Sequence, residues 1–412
     1  MIRKFVKEKY YCGLDIGSQS IKAALIEARE NGKACLVGVC EADTSGYHAA
    51  SVTDLEDLTE SIHGVLSRLI RKTRIKIREV ELGVGGELIM TRSNHAAIPL
   101  VDRGHKVITG KDIRKIHSQA KLMGTHMDEI VLHHFPELYK VDDVNIATNP
   151  VGLHGRKLEL SSQLLVVKDM MIKNLTTAVH QAGYDLAHVF YSSYASGYAS
   201  LNAEQKQGGC ILIDIGTSLA SVLLYKGDQL VDLLHVPIGG RQITKNIAHE
   251  LNLTFDLAED IKKSYGSVQL SENQEDEDIL IKRDDGYMPI KKRDISHAIL
   301  PVCSQHIADM VAVMRSSRFF DQMNRGIILV GGGALLSGLP ERLEQEIHMP
   351  IQSGRIQIAL RKLNYAPKFA AAVGLSQIAL ASDSGIPQTL SQKRKHFSRL
   401  LHSVTELYQE YF

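Results

Sequence analysis

The chain has 412 residues, enough for more than one domain with ample core, and its 48 basic against 47 acidic residues leave a formal charge of +1, which gives no electrostatic case for a nucleic-acid partner. No apolar run approaches the ~20 residues a spanning helix needs, and residues 1–9 lack the long apolar core of a secretion signal. Cys12, Cys35, Cys40, Cys210 and Cys303 show no paired or metal-type spacing, which fits a reducing cytoplasm, and the adjacent His133 and His134 would point to opposite sides of a strand rather than share a metal.

Along the chain, an apolar strand over 11–14 delivers Asp15, then Gly17, Ser18, Gln19 and Ser20, and a second apolar run over 21–26 that includes Lys22. The spacing predicts a β-hairpin. Gly17 allows positive φ and close backbone approach, and the serine hydroxyls stand beside exposed turn N–H groups, so the turn can hold phosphate oxygens. Asp15 would repel phosphate, so its expected partner is Mg²⁺, held mostly through water. Residues 34–40 complete a meander, 54–74 has helical periodicity, and 80–84 forms the next strand, running into Gly85-Gly86. Between 86 and 168 the pattern predicts a helix from Thr109-Gly110-Lys111-Asp112 to Leu122 and strands over 130–135 and 158–167, with Asn149-Pro150-Val151-Gly152-Leu153-His154-Gly155 between them. A helix over 169–183 opens a second half.

The hairpin pattern then returns. A strand over 210–213 is followed by Asp214, Gly216, Thr217, Ser218 and an apolar run over 219–225, a second phosphate turn with a second carboxylate for Mg²⁺. An insertion over 246–316 contains Glu272, Glu275, Asp276, Glu277 and Asp278, followed by Lys291-Lys292-Arg293, a charge run that reads as a solvated loop. A strand over 327–330 ends in Gly331-Gly332-Gly333-Ala334 before a helix over 339–347, and such glycines let a flat ring lie on the backbone. Each turn alone is an ordinary turn; two matching hairpins followed by a glycine loop make a nucleotide cleft. After the breaker Gly385-Ile386-Pro387-Gln388, Phe397, Leu400, Leu401, Val404, Leu407, Tyr408, Tyr411 and Phe412 recur at helical spacing behind Lys393-Arg394-Lys395. That stripe either docks on its own domain or lies in a membrane surface.

This order of motifs resembles the actin-like ATPase superfamily and, within it, most closely the FtsA family of bacterial cell division. The resemblance extends from Tyr11 to Phe412 and is carried outside the turns by the 149–155 segment, by Pro237-Ile238-Gly239-Gly240 with Ile243-Thr244, and by Ala258-Glu259-Asp260-Ile261-Lys262 with Tyr265-Gly266. It implies an α/β, actin-like duplicated fold with two nucleotide-binding halves, an inserted subdomain in the first half and a C-terminal amphipathic helix. The implied division is 1–85, an inserted 86–168, 169–245, a small subdomain over 246–316, 317–382, a linker over 383–392, and a membrane helix over 393–412. The resemblance also implies ATP and Mg as cofactors, contacts from Gly239, Gly240, Glu259 and Lys262, and a place at the division septum on the cytoplasmic side of the inner membrane. Its implied partners are the C-terminal tail of FtsZ, further copies of the chain, other divisome proteins and lipids. The second turn departs from the family's D-I-G-G-G-T-x-D: Thr217 and Ser218 replace glycines, Leu219 replaces Thr, and Ser221 replaces the later Asp. Slow hydrolysis is therefore expected. A PilM-like pilus-assembly adaptor stays open, because Ser18-Gln19-Ser20-Ile21-Lys22 is close to that family's first turn, and a small-molecule kinase of the same superfamily is the lesser alternative.

Overall fold

The computed structural model describes residues 9–29, 34–101, 104–146, 149–269, 277–283, 286–360 and 367–383. Glu272, Glu275, Asp276 and the amphipathic tail with Phe397, Leu400, Leu401, Val404, Leu407, Tyr408, Tyr411 and Phe412 lie outside them.

The two halves follow the same path through their sheets. In the first, Lys9–Ile16 runs antiparallel to Ser20–Ala28, which pairs with Ala34–Asp43, while Glu79–Val84 and Asp185–Tyr191 add parallel strands on the other side, so the first half extends through Tyr191 and the helix over 169–183 does not open the second, as the sequence pattern suggests. In the second, Cys210–Ile215, Ala220–Lys226 and Gln229–Val236 repeat the meander, and Ile327–Val330 and Ile351–Ser353 repeat the parallel pair. Parallel neighbours need helical crossovers. Leu55–Thr73 supplies the first, capped by Asp54, whose side chain accepts from Asp57 N, and closed by Arg74 donating to Ile70 O; Leu58, Ile62, Val65, Leu66 and Leu69 form its buried face.

The strand Cys210–Ile215 shows why the central runs read as continuously apolar. Cys210 and Leu212 join the core shared with the first half, whereas Ile211, Ile213 and Ile215 pack into the core of the second. Both faces are covered, so alternation is lost.

Within the first half, Met90–Pro99, Glu129–Val141, Val144–Ile146 and Lys157–Lys168 form a separate antiparallel sheet with a helix, Gly110–Met123, against it. The sequence reading missed Met90–Pro99, whose half-exposed Thr-Arg-Ser-Asn stretch carries little apolar signal. His133 and His134 do point to opposite sides of their strand: His133 stacks on Phe135 and accepts from Tyr191 N, while His134 meets His117. Burial pushes both imidazoles down to about 3, so they stay neutral.

In the second half, the charge run is not simply a loop where it is described. Asp278 begins a strand, Asp278–Arg283, paired with Gly286–Lys291, and Lys292 bonds Glu277 through both backbone and side chain. Basic and acidic ends of the run close a hairpin.

Two helices cross between the halves. Ser192–Ser200 packs against Ala370–Asp383 so closely that a Cβ on Gly374 would lie 1.8 Å from Ala195 O. Small residues on both helices permit the crossing.

Candidate functional site

The cleft between the halves has a volume of ≈ 870 Å³ and is lined by both hairpin turns, Gly239-Gly240, Glu259, Lys262 and Gly331-Gly332-Gly333. The structure therefore brings together Asp15, Gly17, Ser18, Gln19, Ser20, Lys22, Asp214, Gly216, Thr217, Ser218, Gly239, Gly240, Glu259, Lys262, Gly331, Gly332 and Gly333 around one space. Ala334 lies just behind it, buried in the short turn Gly333–Leu335.

Each turn closes by the same backbone bond, Gly17 N donating to Ser20 O at 3.2 Å and Gly216 N donating to Leu219 O at 2.9 Å. Neither Gly17 nor Gly216 has positive φ, which corrects the sequence expectation; glycine is favoured by space, because a Cβ would lie 2.9 Å from Ser20 O at Gly17 and in a tight contact of 3.1 Å with Leu219 O at Gly216. Thr217 and Ser218 likewise avoid positive φ, so their replacement of glycines leaves this turn unstrained. In the glycine loop the left-handed residue is Gly331, at φ +86.

The turns are braced differently. Thr44 holds the first, its Oγ1 donating to Gly17 O at 2.8 Å and its N to Gln19 O at 3.0 Å. The second is held by the start of the helix Gly240–Glu250, with Gly240 N donating to Gly216 O at 3.1 Å and Arg241 N to Thr217 O at 2.9 Å. A Cβ on Gly239 would lie 2.4 Å from Thr217 O. Gly239 thus serves the turn's backbone.

The carboxylates are oriented by one helix. Ser192 Oγ donates to Asp15 Oδ1 at 2.6 Å, and Ser196 Oγ donates to Asp214 Oδ2 at 2.9 Å. Residues four apart share a helix face, so a single helix presents one hydroxyl to each half. Burial raises the pKa of Asp214, and the charge of Asp15 adds to that shift; Ser196 and Lys22 oppose it. Two acidic groups facing one cleft create a demand for a cation.

Across the cleft, Lys262 Nζ donates to Glu259 Oε2 at 2.6 Å, to Thr244 Oγ1 at 2.7 Å and to Gly240 O at 3.0 Å. Burial lowers the Lys262 pKa, partly offset by Glu259. Gln19 reaches from the first turn toward the second: Thr217 Oγ1 donates to its Oε1 at 3.4 Å, and its side chain helps to lower the pKa of Glu259. On the first-half wall, Glu41 receives Ser20 Oγ at 2.9 Å and is paired with Lys368, with Lys22 4.0 Å away.

Sequence reasoning missed Thr44, Glu41, Ser192, Ser196 and Lys368. Only the serines left a trace, as hydroxyls four apart in the small-residue run Ser192–Ser200. A Cβ on Gly332 would meet nothing within 4 Å, so beside the crowded Gly331 the loop leaves space on its cleft side.

Comparison with known proteins decides the family. A model of the cell division protein FtsA matches residues 211–374, and a model of the SHS2 domain inserted in FtsA matches residues 86–166. The chain belongs to the FtsA family of cell division proteins. It is 24% identical over 383 residues to FtsA of Escherichia coli (strain K12), covering 90% of each protein. Against FtsA of Neisseria meningitidis serogroup B it is 25% identical over 390 residues, covering 93% of each. Among solved structures, the PilM–PilN type IV pilus biogenesis complex matches with a TM-score of 0.65 at 18% identity, over 92% of this chain and 99% of that one. MreB5 of Spiroplasma citri bound to ADP matches with a TM-score of 0.54 at 14% identity, over 91% and 98%. These likenesses establish an actin-like fold, as expected from the duplicated hairpins. The match to the FtsA insertion model falls on the antiparallel sheet and its helix.

Proposed function

We propose that this FtsA-family chain is an ATP-binding adaptor that assembles with copies of itself, tethers FtsZ filaments to the cytoplasmic face of the inner membrane at the septum, and recruits later divisome proteins. The observation that carries the nucleotide part is the pair of equivalent hairpins facing one glycine loop across a single cleft. The turns of both hairpins suit phosphates, Gly331 to Gly333 suit the adenosine, and Lys262 with Glu259 suits the ribose side. The donor set also fits magnesium, since Asp15 and Asp214 enter the cleft from opposite halves and the buried Asp214 resists ionisation. Bound there through water, magnesium would neutralise the carboxylates and the phosphates together. The residues' own part is to hold that geometry, with Ser192 and Ser196 fixing the two carboxylates.

The partner part rests on family membership and two surfaces. The 278–291 hairpin exposes Leu280 and Tyr287 at 67% and 71%, an apolar landing place on the subdomain that the resemblance gives to the FtsZ tail. Among the described residues no helix is long and apolar enough to cross a membrane, so attachment falls to the amphipathic stripe from Phe397 to Phe412. The pilus-assembly alternative has only the first turn and a shared fold in its favour.

Vesicle co-sedimentation tests the tether. Leu400→Glu with Leu407→Glu is expected to release the protein from anionic liposomes while ATP binding, measured by calorimetry, stays unchanged. Equal pelleting of variant and parent would remove the membrane role; absence of ATP binding in both would remove the nucleotide role.

A further inference from the structure

The position where the family pattern has a carboxylate is occupied by Ser221, and the structure gives this serine a chain of partners. Ser221 lines the cleft and lies directly across the hairpin from Asp214. Its Oγ is 2.6 Å from Tyr191 Oη, which in turn is 3.0 Å from His235 Nε2. Tyr191 is buried at 1% exposure, at the end of the last strand of the first sheet, immediately before the helix that carries Ser192 and Ser196. Its backbone is pinned, because Tyr191 N donates to the buried His133 Nε2 at 2.9 Å. His235 pairs with Ser221 in the neighbouring strand. The three side chains therefore run from the cleft wall inward, from the second half to the first and back.

We propose that Ser221, Tyr191 and His235 form a proton relay that takes the place of the missing carboxylate in ATP hydrolysis. The proposal rests on the reading that the cleft holds ATP. In the working direction His235 Nε2 accepts from Tyr191 and Tyr191 accepts from Ser221, which leaves the lone pairs of Ser221 Oγ facing the cleft to accept from a water. As the water oxygen bonds to the terminal phosphorus, the bond from that phosphorus to the β–γ bridging oxygen breaks, and ADP leaves with the electron pair. The water's proton passes to Ser221 Oγ, the serine's own proton to Tyr191 Oη, and the tyrosine's proton to His235 Nε2. The products are ADP, inorganic phosphate and an imidazolium that returns its proton to solvent. Burial lowers the His235 pKa, which keeps the ring neutral and accepting at rest. A relay through two hydroxyls needs three proton transfers aligned at once, where a carboxylate needs one, so turnover is slow. Ser221 is the group that meets the water; Tyr191 and His235 are positioning residues behind it.

Steady-state hydrolysis with ATP and magnesium on the full chain tests this, alongside calorimetric ATP affinity and a thermal melt for each variant. Ser221→Ala is expected to lower kcat by about a hundredfold, the low end of what a positioned proton acceptor supplies, with ATP affinity unchanged. Tyr191→Phe keeps the buried ring and removes only the hydroxyl, and it is expected to lower kcat by about tenfold or more, again without a change in affinity. Ser221→Asp restores a carboxylate within reach of Tyr191 and is expected to raise kcat above the parent. An unchanged kcat in both Ser221→Ala and Tyr191→Phe overturns the relay, as does a lowered melting temperature with full turnover. A parent protein that binds ATP but does not turn it over also overturns the relay while leaving the nucleotide reading intact. A parent that does not bind ATP overturns both.

Discussion

Opposite each cleft carboxylate the two hairpins place a different residue: Asp15 pairs with Lys22, whereas Asp214 pairs with Ser221. The backbones match strand for strand, so the contrast isolates side-chain chemistry on a duplicated frame. The first hairpin brings its own cation to the cleft and is braced by Thr44, a residue of the same half. The second brings a neutral hydroxyl, connects it to Tyr191 at the end of the first sheet, and is braced by the start of the helix Gly240–Glu250. One half is self-sufficient; the other depends on its surroundings. Movements of the helix Gly240–Glu250 should therefore be felt at the second turn and hardly at the first.

The largest effect is expected where that dependence is sterically tightest. Gly331 is left-handed, and a Cβ there would lie 2.5 Å from Asp214 Oδ1 and 2.5 Å from Ile215 O. Gly83, paired with Asp15 in the first sheet, has ordinary φ and faces mainly the side-chain tips of Leu375 and Ser192 at 2.8 Å. Gly331→Ala should cost roughly 3 kcal/mol, adding left-handed strain to overpacking. Gly83→Ala should cost about 1 kcal/mol, because side-chain tips move where backbone does not. Urea unfolding of both variants checks this; equal costs would mean that the backbone around Gly331 yields as readily as the side chains around Gly83.

The next residue in the glycine loop separates folding from binding. Gly332 has open space where its Cβ would go, so Gly332→Val should leave the unfolding midpoint unchanged. A nucleotide ring laid on the loop would meet the new methyls, and ATP affinity should drop about a hundredfold, equivalent to roughly 2.7 kcal/mol. Calorimetry reads it. Unchanged affinity would place the ring elsewhere.

These glycines mark how far the sequence could be read. The repeated Asp-Ile-Gly pattern made the duplication legible, and strand 327–330 ending in three glycines made the loop legible, because both depend on local chain properties. The identical appearance of Gly331 and Gly332 hid opposite roles, since only the packing of Asp214 and Ile215 distinguishes them. Ser192 and Ser196 were invisible as site residues for the same reason: the helix that carries them is far in sequence from Asp15 and near it only in the folded chain. Tyr191, inside an ordinary apolar strand, gave no sign that its hydroxyl meets Ser221. The strand Met90–Pro99 was missed because its polar outer face hides the alternation.

A smaller effect concerns charge. Burial, reinforced by Asp15, raises the pKa of Asp214 in the fold. A raised folded value means that the native state holds this proton more tightly than the unfolded chain does. The penalty for ionising Asp214 is therefore absent at low pH, enters as pH climbs through the ordinary aspartate value of ~3.9 toward the raised one, and is complete at neutral pH. Asp214→Asn should raise the melting temperature of the nucleotide-free protein at neutral pH, and the gain should vanish in acid. Magnesium with ATP should stabilise the parent but not this variant. Asp15→Asn should bring no such gain, because Lys22 stands directly opposite Asp15 in the hairpin.

The smallest effect belongs to the one side chain that ties the two turns together. Gln19 accepts from Thr217 Oγ1 at 3.4 Å, so it spans the space between the phosphate turns from the first half to the second. At 3.4 Å the Thr217 bond is long, and a neutral hydrogen bond at this exposure contributes no more than about 1 kcal/mol. Where the family pattern has glycine in place of Thr217, no hydroxyl would be available to make it, so the tie follows directly from the altered second turn. A phosphate entering between the turns competes with Gln19 for the same donors. Gln19→Ala should therefore tighten ATP binding by up to about fivefold, the equivalent of the bond that no longer has to be broken. Thr217→Gly should do the same, and the double variant should gain little beyond either single change, because both remove one interaction. Weaker binding in Gln19→Ala would show that Gln19 is a ligand of the nucleotide rather than its competitor, and the first turn would then be as self-sufficient in binding as it is in its bracing.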